Sequence, residues 1–144
     1  MARTIYWLVC EKHLHDSSGK NSYICVFDQL VAKIAAMPGA PTPELPLAVP
    51  CSSLPFTLAM KLSLGEGEHE FRLEPKDISG EAIAPPFEMK TRTGKNGMSF
   101  VNINFGNGIP IRDSGMIVFH VSVDGEDLPA MEMPVSVTVQ EASK

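Results

Sequence analysis

The sequence predicts an all-β fold, an antiparallel sandwich or barrel, on three observations. Apolar residues recur at every second position from residue 56 onward, turn residues interrupt these runs at close intervals, and 12 prolines with 11 glycines disfavour long helices. A chain of 144 residues, 44% hydrophobic, has the length of one ordinary domain. At that length on the order of 68% of the unfolded surface is buried on folding. A single domain over 1–144 with one core is therefore expected, residues 140–144 forming a tail.

Taken in order, the elements are these. Ile5-Tyr6-Trp7-Leu8-Val9 is apolar on both faces, as a central strand requires; on an edge the same composition would be an exposed template for self-association. Tyr23 to Phe27 is β-rich. Phe27, Leu30, Val31 and Ile34 then fall at helical spacing, which predicts a short helix or irregular turn over 28–36. Residues 38–55 contain Pro38, Pro41, Pro43, Pro46, Pro50 and Pro55. These deny amide donors to a sheet and predict a Pro-rich crossover loop, with Leu45, Leu47 and Val49 packed inward. The same loop holds two P-x-x-P steps that could dock on an aromatic groove, but no basic anchor stands nearby.

Strict alternation follows. Phe56, Leu58, Met60, Leu62 and Leu64 stand against Thr57, Ala59, Lys61 and Ser63, a strand with one face on a core. Phe71 and Leu73 repeat the pattern, as do Ile83, Phe87 and Met89 across the Pro85-Pro86 break, and then Val101, Ile103 and Phe105. Asp124-Gly125, between Ile117–Val123 and a run ending Val135–Val139, marks a tight hairpin. A two-residue type I′ loop would set Val121 against Leu128 and need a bulge near Pro129. A three-residue loop through Glu126 would instead set Phe119 opposite Met131 and Ile117 opposite Met133.

Charge and cysteine usage narrow the function classes. The net charge of -5 is spread over the chain, with no basic stripe to gather phosphates, so no nucleic-acid partner is expected. Apolar runs stop well short of the roughly 20 residues that cross a bilayer. The N-terminus lacks a secretory pattern, which points to the cytoplasm and away from a membrane. Cys10, Cys25 and Cys51 are odd in number and form no C-x-x-C, so reduced, mostly buried thiols are expected rather than a disulfide framework or thiolate zinc site.

The most chemical-looking stretch is Cys10-Glu11-Lys12-His13-Leu14-His15-Asp16. If the first strand continues through it, His13 and His15 project from one face and can offer two imidazoles to zinc or copper, with a third ligand from His120, His69 or Asp16. The competing expectation is a polar strand end with both histidines in water. A hydrolase would need a nucleophile at a strained turn beside a base. There is no G-x-S-x-G, and Cys51-Ser52-Ser53 has no neighbouring histidine, so no catalytic residue and no cofactor are expected. Glu66, Glu68 and Glu70, or Glu126 and Asp127, read as solvated faces. The aspartates at 16, 28, 77, 113, 124 and 127 are too dispersed for a calcium loop.

The order of features resembles a family of uncharacterised bacterial proteins of similar length. "CEKHLHDSSGKNSYICVFDQL" is similar to that family's opening, "GEHEFRLEPKDISGEAI" to its middle and "SGMIVFHVSVDGEDLPAMEMPVSV" to its closing hairpin. Two departures are a longer Pro-rich segment at 38–53 and Cys25 where a glycine is usual. The resemblance implies an immunoglobulin-like β-sandwich and no activity. The reading is thus an antiparallel immunoglobulin-like two-sheet sandwich of seven to nine strands. It is expected to serve as a non-enzymatic interaction or accessory module that binds a protein partner or self-associates. The alternative is a small-ligand or metal-binding sandwich that uses the His13/His15 end loops.

Overall fold

The alternating side chains from residue 56 onward become strands. The computed structural model describes residues 1–15, 17–18 and 20–140. Among them are nine strands of six residues or more: β1 (Arg3–His15), β2 (Asn21–Phe27), β3 (Leu30–Ala35), β5 (Phe56–Ser63), β6 (Gly67–Asp77), β7 (Phe87–Thr93), β8 (Met98–Phe105), β10 (Gly115–Val123) and β12 (Met131–Gln140). Three more have two residues each: β4 (Cys51–Ser52), β9 (Pro110–Ile111) and β11 (Glu126–Asp127). No helix among the described residues is long and apolar enough to cross a membrane.

The strands form a four-stranded sheet in the order β2-β1-β5-β8 and a larger sheet in the order β3-β12-β10-β6-β7, with β11 paired to β10; β4 pairs with β9 apart from both. One hydrophobic core joins the two large sheets. Val9, Leu58, Met60, Val101 and Ile103 come from the first, and Phe71, Leu73, Ile117, Phe119, Met131 and Met133 from the second. Rings bridge the layers: Phe56 stacks on Phe105 at 4.8 Å, and Phe105 reaches Phe119 at 6.2 Å. The arrangement is sandwich-like. β5 lies between β1 and β8, and Thr57 and Ala59 on its reverse face are buried as well.

Trp7 lies on an inner strand, since β1 runs between β2 and β5, and packs against the core. The closing hairpin combines the two geometries weighed above. Asp124 and Gly125 have φ of 52° and 79°, the left-handed pair a type I′ turn requires, and Leu128 N donates to Val121 O at 2.9 Å. The register then slips by one residue before Met131, which places Phe119 opposite Met131 and Ile117 opposite Met133.

Four expectations need correction. Residues 30–35 are a strand, not a helix or irregular turn: Leu30 and Ala32 are buried and Lys33 is exposed, so the working period is two, and Ala32 was too small to signal it. That strand, β3, pairs parallel with β12, Leu30 opposite Val135 and Ala35 opposite Gln140, so the second sheet is not wholly antiparallel. The chain crosses from one sheet to the other within Asp28-Gln29, and the edge of β12 is then reached in the same direction that β12 runs. Within 38–55 the two-residue strand β4 forms, and of Leu45, Leu47 and Val49 only Leu47 is half-buried, its amide donating to Arg112 O at 2.8 Å. Finally, Cys10 is buried, but Cys51 is half-buried and Cys25 exposed.

The end of the Pro-rich segment is pinned by Ser53, which donates from N to Ile109 O at 3.0 Å and accepts at Oγ from Ile109 N at 2.9 Å. Gly108, at φ 69°, lies so close beneath that a Cβ there would collide with the Ser53 carbonyl. Only glycine suits both the conformation and the approach.

Candidate functional site

The long first strand and its partner β2 gather the residues of interest. In the β1–β2 ladder His13 pairs with Tyr23 and His15 with Asn21, a register that sets both histidines beside one asparagine. His13 Nε2 and His15 Nδ1 lie 2.8 Å and 3.1 Å from Asn21 Oδ1. A carboxamide oxygen only accepts, so both imidazoles donate to it. The two histidines do share a face, as their i, i+2 spacing predicts.

An aromatic pair backs this group. The His13 ring lies 5.4 Å from that of Tyr23, tilted by 31°, and the Tyr23 hydroxyl meets the Tyr6 hydroxyl at 2.8 Å. Burial, and then the bond to Tyr6, push the Tyr23 phenol above its usual range. Burial likewise raises the Cys10 thiol. Asn21, Tyr23 and Tyr6 carry no signal in the sequence alone, because their roles depend on the strand register.

The third ligands considered above do not join them. His120 is exposed on β10 opposite Glu74, in the other large sheet. His69 of β6 is committed elsewhere: its Nδ1 lies 2.7 Å from Asp124 Oδ2 and its Nε2 lies 3.1 Å from Gly65 O. Asp16 lies outside the described residues. Among those described, no group of three or more His, Cys, Asp or Glu is placed to hold a metal ion.

His69 and Asp124 form a histidine–carboxylate pair, yet the second ring nitrogen meets a backbone carbonyl rather than a hydroxyl or thiol. Two acceptors favour the doubly protonated ring. The Asp124 carboxylate raises the His69 pKa, partial burial opposes this, and the Glu70 amide, then His69, hold Asp124 below the usual carboxylate range. Asp77 is similarly lowered, by the Ser79 hydroxyl first and then by amides of its own turn. It lines an open cleft of about 570 Å³ with Glu81, Arg112 and Asp113. Its Oδ1 is already taken by Ser79 and Glu81, which makes it a turn cap.

With this geometry in place, a family model matches residues 5–136; its description is a family of unknown function, DUF6941. The chain belongs to that family. No curated protein matches it. The DUF6941 match spans His13, His15, Asn21 and Tyr23 and bears out the family resemblance seen in the sequence, but it assigns no activity. In this DUF6941 chain Cys25 has φ 53°, the left-handed conformation that glycine adopts without steric cost, which explains why a glycine suits the position. A hydrogen bond from the Cys25 thiol to the Glu11 carboxylate pushes that thiol up.

Proposed function

We propose that this DUF6941 chain is a non-enzymatic interaction or accessory module whose open β2 edge takes a protein partner, foremost a second copy of the chain. The reading takes the sandwich as immunoglobulin-like, the 38–55 segment as the crossover between sheets, and the protein as bacterial and cytoplasmic. Support for the topology comes from the step from β3 in one sheet to β5 in the other across that segment.

The observation that carries the proposal is the sequence of exposures on β2. Ile24 (41%), Cys25 and Val26 (58%) face solvent in succession, with Leu14 of β1 (44%) diagonal to Ile24 across the ladder. An edge strand normally alternates. Here the positive φ of Cys25 interrupts the ladder with β1, where no Glu11–Cys25 pair stands, and turns three neighbouring side chains outward. From Asn21 to Phe27 there is no charge and no proline, the devices that ordinarily keep edges apart. Two copies related by a two-fold axis would appose this same patch to itself. The strand itself is uncharged, and its charged neighbours on β1, Lys12 opposite Ile24 and Glu11 at Cys25, are of opposite sign, which permits that even though each chain carries a net charge of -5.

Light scattering on a sizing column tests this. A dimer is expected, and Ile24→Lys with Val26→Lys should return it to monomer with an unchanged far-UV spectrum. A wild-type monomer at every concentration overturns self-association.

A further inference from the structure

We propose that His13 Nε2, His15 Nδ1 and Asn21 Oδ1 form a binding site for a divalent late first-row transition cation, Cu²⁺ above all. This goes beyond the interaction reading and does not depend on it.

The donors converge. Two imidazole nitrogens lie 2.8 Å and 3.1 Å from a single amide oxygen. Around a metal with bonds near 2.0–2.1 Å, neighbouring ligand atoms stand about 2.9 Å apart at right angles and about 3.4 Å apart in a tetrahedron. Both nitrogen–oxygen separations fall in the ordinary N–H···O hydrogen-bond range, so they gather the three donors on one face without choosing between the right-angled geometry of Cu²⁺ and Ni²⁺ and the tetrahedral one. Imidazole suits these ions, and Cu²⁺ heads the affinity order for a given nitrogen and oxygen set. The third donor is a neutral amide.

Orientation is also prepared. His13 is held against the Tyr23 ring, and Tyr23 is held in turn by the Tyr6 hydroxyl. Supporting contacts of this kind fix ligand geometry before the ion arrives. His15 is exposed and Asn21 and His13 are half-buried, so the ion has an open approach and water can fill the remaining positions. On binding, the proton on each coordinating nitrogen moves through water to the other nitrogen of the same ring. Both imidazoles stay neutral and the ion keeps its charge.

The test uses untagged full-length protein carrying Cys25→Ser, since the exposed thiol would reduce Cu²⁺. Titration followed by calorimetry and electron paramagnetic resonance should show one Cu²⁺ per chain with hyperfine coupling to two nitrogens. His13→Gln and His15→Gln, polar replacements chosen to preserve the hairpin, should each weaken binding by more than about 100-fold, beyond the 10–100-fold that loss of an outer partner costs. His120→Gln should leave it unchanged. Asn21→Asp, which exchanges a neutral for an anionic oxygen, should tighten binding by about tenfold, and Asn21→Ala should weaken it. A stoichiometric site that survives in the His13→Gln/His15→Gln protein overturns the assignment. So does the absence of saturable uptake by folded protein, or an affinity indifferent to both changes at Asn21.

Discussion

Two edges of the sandwich are built on opposite plans. β7, at the end of the larger sheet, alternates cleanly: Glu88, Lys90 and Arg92 are exposed, while Phe87, Met89 and Thr91 are half-buried. Its charges are answered across the ladder, Glu88 by Arg72 and Lys90 by Glu70 at 3.6 Å. Thr91 Oγ1 also meets Ser99 Oγ of β8 at 3.2 Å, tying this side of the sandwich to the other sheet. β2, at the end of the four-stranded sheet, has no charge and loses its alternation at Cys25. The difference shows that solvent exposure alone does not decide an edge's behaviour. A flat ladder studded with paired charges repels an incoming strand, whereas a neutral strand kinked at one left-handed residue offers apolar side chains.

The strongest way to break this contrast is to give β2 what β7 has. Ile24→Lys with Val26→Lys places two like charges at a two-fold contact and removes its apolar surface, and self-association should weaken by more than about 100-fold. Sedimentation equilibrium across a concentration series measures this. The reverse transplant should matter next most. Replacing Glu88, Lys90 and Arg92 together by valine gives the protein a second adhesive edge, and assemblies larger than a dimer should appear in light scattering. The folded chain itself should hardly change, since exposed ion pairs contribute roughly 0–1 kcal/mol. Should the triple variant remain no larger than wild type, charge is not what guards β7.

A smaller effect is expected at the kink. A left-handed conformation costs an ordinary L-residue roughly 1–2 kcal/mol, and glycine gives back roughly 0.5–1 kcal/mol of this through its freer unfolded chain. Cys25→Gly should therefore stabilise the fold by about 0.5–1 kcal/mol in denaturant titration. Cys25→Ala, which keeps the Cβ, should show no such gain. Equal midpoints for the glycine and alanine variants would mean that the φ of 53° carries no strain.

Much of this architecture was legible before any coordinates. The alternation at Phe56–Leu64 became β5, and Asp124-Gly125 became a two-residue turn with the bulge its spacing demanded. β3 was hidden because Leu30, Val31 and Ile34 fit both a helical and an extended period, and Ala32, the residue that would have decided, is too small to weigh in a pattern. Its parallel pairing with β12 was beyond reach, since that contact joins residues about a hundred positions apart. At the candidate site the shared face of His13 and His15 follows from spacing alone. Asn21 and Tyr23 enter only through the register between β1 and β2, which a single sequence leaves free.

The smallest expected effect belongs to the β6–β7 side and sharpens the contrast through pH. His69, opposite Thr91 of β7, donates to Asp124 and to Gly65 O, joining the β5–β6 connection to the closing hairpin turn. Its pKa lies above the ordinary 6.5, so its contribution to stability is complete below pH 6.5 and is lost as the pH rises through the higher folded value. Asp124 lies below the ordinary 3.8, so its contribution is present above pH 3.8 and is lost as the pH falls through the lower folded value. Between these limits the pair contributes a plateau. Glu68 and Glu70 flank His69 on β6, and Lys90 and Arg92 flank its cross-strand partner Thr91 on β7, charges of both signs, while the N-terminal ammonium opposes the raised value. Denaturation midpoints measured from pH 5 to 9 should decline on the alkaline side. Asp124→Asn, which retains both the left-handed turn and an acceptor for the Glu70 amide, should flatten that decline. An alkaline decline of equal size in this variant would assign it to another group.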